Sequence, residues 1–175
     1  MPSSLVWGVD SNAWLVIGTF IGSFGAIVTS LFTIRYAKIE HERETLGLIY
    51  NILSDPAHRI AARNVLQAHR DDTTVDEKDA ELVARNYDKV AQFVEINLVP
   101  KKKYYKMFGR STVIQYVALK NWISAQRQRA DDDIMASFTD LSTSCMNYWD
   151  GRIKDPKTRL PIKMADLASP TTDKS

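Results

Sequence analysis

The sequence predicts an all-α protein: one N-terminal transmembrane helix that continues into a stalk, then a cytoplasmic antiparallel helical bundle. Three observations predict it. Residues Trp14–Ile34 (WLVIGTFIGSFGAIVTSLFTI) run for 21 positions without a charge, a proline or an amide side chain. A helix of that length covers about 30 Å, the thickness of a bilayer hydrocarbon core. Beyond it, apolar residues recur at helical spacing between cap and breaker signals, and no window alternates β-branched residues in the manner of a strand. The chain so read has an external lead (1–13), a transmembrane helix (14–34), a helical stalk (35–54), a bundle (55–150) and a mobile tail (151–175).

In the lead, Asp10, Ser11 and Asn12 are candidate N-caps. No Lys or Arg precedes Trp14, whereas Arg35, Lys38 and Arg43 follow Ile34 closely. The positive-inside bias therefore predicts a single pass through the inner (cytoplasmic) membrane, N-terminus outside and body in the cytoplasm. A secretory signal fits less well, since it wants a basic leader and a shorter apolar core. Trp7, Trp14 and Tyr36 suit the two interfaces. Gly18, Gly22, Ala26 and Ser30 recur every four residues, a small-residue ladder that lets two helices approach closely. With one span per chain, self-association is the simplest use of it. Thr19, Ser23, Thr29, Ser30 and Thr33 add hydroxyls that bond back to their own helix or line a wet lumen in a larger ring. No breaker follows Ile34, so helix and stalk run together to Leu53, with Gly47 the one soft point.

Ser54-Asp55-Pro56 ends that helix and opens the next, with Pro56 at the first helical position. The second helix reaches about Arg70, with Ile60, Ala61, Val65, Leu66 and Ala68 inward. Thr74-Val75-Asp76-Glu77 matches a capping box and begins a helix to Leu98, closed by Pro100. Its inward set is Leu82, Val83, Val90, Phe93, Val94 and Leu98. A short basic segment, 101–109, leads to a helix over Ser111–Arg129 that buries Val113, Ile114, Val117, Leu119 and Trp122. Asp131–Asp133 starts the last helix, on which Ile134, Met135, Phe138, Leu141, Cys145, Tyr148 and Trp149 form the apolar set. Gly151 stops it.

Charge and cysteine count exclude little. The formal net charge of +2 is too small to argue for nucleic acid. One cysteine, Cys145, forbids an intrachain disulfide and suits a reducing compartment; on an apolar stripe it reads as a buried structural thiol. His41, His58 and His69 have no metal-ligand spacing with other donors, and there is no phosphate-binding glycine loop or nucleophile elbow, so neither metal nor cofactor is expected. Lys101-Lys102-Lys103-Tyr104-Tyr105-Lys106 is a basic cluster with two aromatics. It suits anionic lipid headgroups, or, as a lesser alternative, a nucleic-acid backbone with stacking tyrosines; a charged turn between helices explains it equally.

The segments RIAARNVLQ, NYDKVAQFVEINL, KKKYYKMFG and LKNWISAQRQR, in that order after a membrane helix, resemble a large bacterial family of membrane-anchored helical domains, domain of unknown function 4760. The resemblance covers about Arg35 to Trp149 and implies an all-helical cytoplasmic body and no reaction. In layout the chain is also similar to small membrane proteins beside antiviral systems, including a CRISPR-accessory protein that forms an oligomeric pore. A shorter stretch, Arg63-Asn64-Val65-Leu66-Gln67-Ala68-His69, resembles the R-N-x(n)-H signature of HEPN ribonucleases. That resemblance implies Arg63 steadying phosphorane charge and His69 handling the 2′-hydroxyl proton. Six residues of helix, however, leave Arg63 and His69 about 120° apart.

The leading expectation is thus a self-associating membrane protein acting as a non-enzymatic interaction or pore-forming module, with stress or phage defence suggested by analogy. A membrane-tethered ribonuclease using Arg63, Asn64 and His69 is the alternative. An accessory subunit docking other membrane-complex chains through its stalk is the third.

Overall fold

The computed structural model describes residues 11–129, 134–149 and 152–167; in the first helix it describes the side chains of residue 19 and of residues from 26 on. The described residues form seven helices and no strand. The chain falls into two units, Met1–Arg43 and Glu44–Ser175.

In the first unit, helix α1 (Ser11–Ser54) begins. Ile27, Leu31, Phe32 and Ile34 stand 59–67 % exposed on it. Ser30 Oγ donates to the Ala26 carbonyl at 2.8 Å and Thr33 Oγ1 to the Thr29 carbonyl at 2.9 Å, so these hydroxyls bond back to their own helix. Among the described residues no helix is long and apolar enough to cross a membrane. Most of the expected span, including Trp14, Gly18 and Gly22, lies outside the residues whose side chains are described, as do Trp7 and Asp10.

The second unit takes in the last turns of α1, where Thr45 and Ile49 are buried. Helix α2 (Pro56–Asp71) starts as expected: Asp55 Oδ1 accepts from the amides of Ala57 (2.9 Å) and His58 (3.2 Å), and Pro56 follows it. Helix α3 (Glu77–Glu95) is capped by Asp76, whose Oδ1 accepts from Lys78 and Asp79, and not by Thr74. It ends before Leu98, because Asn97 turns left-handed (φ 59°) and lets the Leu98 amide reach back to the Phe93 carbonyl at 3.1 Å. The basic segment is itself helical, α4 (Lys101–Met107).

Helix α5 (Gly109–Arg129) packs against α2, α3, α4, α6 (Ala136–Trp149) and α7 (Met164–Leu167). Enclosed on several sides, it has no single apolar stripe. It buries Thr112, Val113, Gln115, Tyr116, Ala118, Leu119 and Ile123, while Ile114, Val117 and Trp122 are only half-buried. The expected face is therefore corrected. So are Ile60 and Leu82, which are exposed, and Tyr148, 43 % exposed. Phe138 sits at the centre, stacked on Tyr87 (centroids 5.1 Å apart) and edge-on to Tyr116 (5.4 Å). Asp131–Asp133 lie outside the described residues.

Gly109 lets α5 approach α6. A methyl group there would meet Trp149 Nε1 at 3.1 Å and Cys145 Sγ at 3.3 Å. The indole has little room to retreat, since its N–H donates to the Tyr105 carbonyl at 2.9 Å.

The expected mobile tail is corrected for residues 152–167. Ile153, Ile162 and Leu167 are buried, at 0–3 % exposure. The Ile162 amide donates to the Ile153 carbonyl at 2.8 Å, closing a loop that brings both isoleucines to the core. Lys120 Nζ donates to the Asp166 carbonyl at 2.9 Å and secures α7.

Two outcomes follow for stability. Gly109→Ala should lower the thermal midpoint by the equivalent of about 1–3 kcal/mol, an overpacking cost larger than alanine's helical advantage. Ile153→Ala should cost about 2–5 kcal/mol in chemical denaturation, as for any buried isoleucine; a mobile segment would give no change.

Candidate functional site

Helix α2 carries the residues from which either a reaction or a binding site would be built. Arg59, Arg63 and Arg70 lie at positions i, i+4 and i+11, within about 40° of one another around its axis. All three are exposed. They border a groove of about 470 Å³ with Leu66 and Gln67 of α2, Tyr50 and Leu53 of α1, Tyr87 of α3, and Phe108, Ser111 and Gln115. Among the described residues no carboxylate lines it. The two nearest in sequence already have partners: Asp55 caps α2, and Asp71 Oδ2 accepts from Nε2 of the groove's own Gln67 at 2.7 Å. Among the described residues none of the three arginines is in an ion pair.

Two buried polar residues also line the groove. Gln115, 5 % exposed, reaches from α5 to α2, where its Nε2 donates to the Ala62 carbonyl at 3.2 Å. That bond fixes the amide's orientation and leaves Oε1 buried without a partner. His58, 2 % exposed, takes Asn86 Nδ2–H on its Nδ1 at 3.1 Å, which places the neutral ring's proton on Nε2. Burial holds its pKa below the ordinary 6.5, against the opposing pull of Asp55.

The ribonuclease-like triplet does not gather in one chain. Arg63 borders the groove, whereas Asn64 Nδ2 donates to Asp79 Oδ2 at 2.7 Å. His69 opens on a different cleft, of about 540 Å³, with Asp72, Trp122 and Arg129. Its Nε2 meets Asp155 Oδ1 at 3.1 Å, and Lys157 Nζ donates to Asp72 Oδ1 at 2.7 Å. Burial alone would raise the Asp155 carboxyl; hydrogen bonds from the Lys157 amide and His69 outweigh it and hold the group below its ordinary value. The two pairs moor the 152–167 segment to the end of α2, a structural role for His69.

The basic cluster is split by its helix. Lys101, Lys102, Lys103 and Lys106 are exposed. Tyr104 is fully buried, its hydroxyl 2.8 Å from Thr112 Oγ1, so the expected surface contact at that residue is corrected. Tyr105 is half-buried beside Tyr148, with ring centroids 5.7 Å apart. Ala26 and Ser30 of the small-residue ladder are exposed on α1. Cys145 is buried, as its stripe predicts, and burial pushes its thiol up to about 12. Among the described residues no group of three or more potential metal ligands comes together. Sequence reading passed over Arg59, Arg70 and Gln115. The arginine register is visible along α2, but Gln115 joins it only once α5 is laid against that helix.

Because His58 is held neutral, the folded state binds its proton less readily than the unfolded chain does. Its contribution is present above the unfolded value near 6.5 and is lost as pH falls from there through the depressed folded value. The thermal midpoint should therefore drop on acidification below about pH 6.5, and His58→Gln should flatten that part of the profile.

No curated protein and no solved structure matches the chain. One family model does, over residues 20–145, from within the apolar stretch of α1 to Cys145 on α6. The chain belongs to that family, the domain of unknown function (DUF4760).

Proposed function

We propose that the chain is a single-span membrane protein whose helical bundle serves as a non-enzymatic interaction module in the cytoplasm, assembled by self-association of α1. The row of uncovered apolar side chains Ile27, Leu31, Phe32 and Ile34, at the end of a 21-residue stretch without charge, carries the reading. Such a row is costly in water and at home in lipid or against another helix. The hydroxyls of Ser30 and Thr33 bond within the helix, the condition for placing them in hydrocarbon. Arg35, Lys38 and Arg43 stand where the cytoplasmic headgroups would meet the chain. Ala26 and Ser30, with Gly18 and Gly22, supply a close-approach face for a second copy. The separation of Arg63, Asn64 and His69 supports interaction over ribonuclease chemistry.

Full-length protein should float with lipid in a density gradient, and Gly18→Leu with Gly22→Leu should lower its oligomer mass in detergent. A freely soluble product would end the anchor reading, and an unchanged mass the ladder reading.

A further inference from the structure

We infer that the groove between α2 and α5 is a binding site for a small phosphate ester that carries a planar, hydrogen-bond-donating group, the chemistry of a nucleotide. The inference rests on the bundle alone and is independent of how the chain is anchored. Arg59, Arg63 and Arg70 present three cations on one helical face, with no carboxylate among the described residues lining the groove. Guanidinium groups on one helical face with no ion-pair partner among the described residues repel one another, and an anion relieves them. Arginine's planar fork suits phosphate oxygens in pairs. At 1.5 Å rise per residue, Arg59 and Arg63 start about 6 Å apart along the axis, near enough to share one phosphate.

Charge alone does not define the ligand. Leu66, Tyr87 and Phe108 line the same groove, so it offers apolar surface to the faces of a ligand's body. The groove's 470 Å³ is the size of a small-molecule site and too little for a folded partner. Gln115 adds the selective feature. Its Oε1 is buried and accepts nothing, while its Nε2 is committed to the Ala62 carbonyl. A buried acceptor of this kind is satisfied by a ligand that brings an N–H. Inorganic phosphate brings the anion without the planar body. A lipid phosphate brings the anion and an acyl chain without the donor. A nucleoside phosphate brings all three.

The test is titration calorimetry on the full chain in detergent, with the four ribonucleoside 5′-monophosphates used singly, and with adenosine, inorganic phosphate and dioctanoyl phosphatidic acid as comparisons. At least one nucleotide should bind saturably and more tightly than adenosine, phosphate and the lipid. Arg63→Gln and Arg59→Gln, both at exposed positions, should each weaken that nucleotide about tenfold or more, the loss of a charge-assisted contact. Gln115→Leu should weaken the nucleotide and leave phosphate unchanged. Arg85→Gln, at a residue paired with Glu81 on α3, should leave affinity unaltered. Failure of all four nucleotides, equal binding of adenosine, tighter binding of the lipid, or full affinity in both arginine variants would each overturn the assignment. Circular dichroism of each variant separates lost binding from lost fold.

Discussion

Enclosure of α5 is the constraint on which the rest of the bundle depends. An amphipathic helix at a surface needs one covered stripe; α5 is covered from several directions, and each polar group it buries must find a partner inside. Thr112 is satisfied twice, by the Phe108 carbonyl at 3.0 Å and by the Tyr104 hydroxyl. Tyr116 reaches the Leu167 carbonyl at 3.4 Å, which draws the last described turn of the chain onto the core. Gln115 is satisfied on one side only. Gln115 lines the groove, so one unmade bond of the central helix borders it, while Trp122 Nε1, buried without a partner on the same helix, borders the other cleft.

The close seam between α5 and α6 follows from the same enclosure. With Gly109 at its first turn, α5 lies against Cys145 and Trp149 without a side chain between. Trp149 then serves two elements, packing beside that turn and donating to α4 through the Tyr105 carbonyl. This fixes α4 and explains why its tyrosines point into aromatic surroundings while its lysines remain in solvent. A stretch that reads as a charged turn is in fact a short helix with a greasy underside, because Tyr104, Tyr105 and Phe108 fall on one side of it.

Much of the helical order was legible in the residues. Asp55 and Pro56 mark the start of α2 by chemistry that acts locally, and the expected stripe on α6 is buried at Phe138, Leu141 and Cys145 though not at Tyr148. The failures share a cause: they depend on contacts between distant parts of the chain. Periodicity points Ile60 inward, but only the docked bundle decides which flank of α2 is covered. Asn97 ends α3 by adopting a left-handed turn that a run of apolar residues conceals. Ile153 and Ile162 are isolated in polar sequence and have no period to betray them; their burial comes from a loop closed by two backbone bonds, Ile162 to Ile153 and Asp155 to Leu160. The groove was half legible. Three arginines in register are written along α2, but their meaning changes when Gln115, 53 positions after Ala62, arrives beside them.

The placement of the lone thiol has a practical consequence. Cys145 lies at zero exposure against Gly109, with its proton held to about 12. A thiol so enclosed is silent toward alkylating reagents while the bundle is closed. Spectroscopic labels attached to cysteines introduced at exposed positions would thus report on those positions without a competing background. Slow labelling of Cys145 itself would in turn clock how often the α5–α6 seam breathes apart, reading out local opening without any added probe.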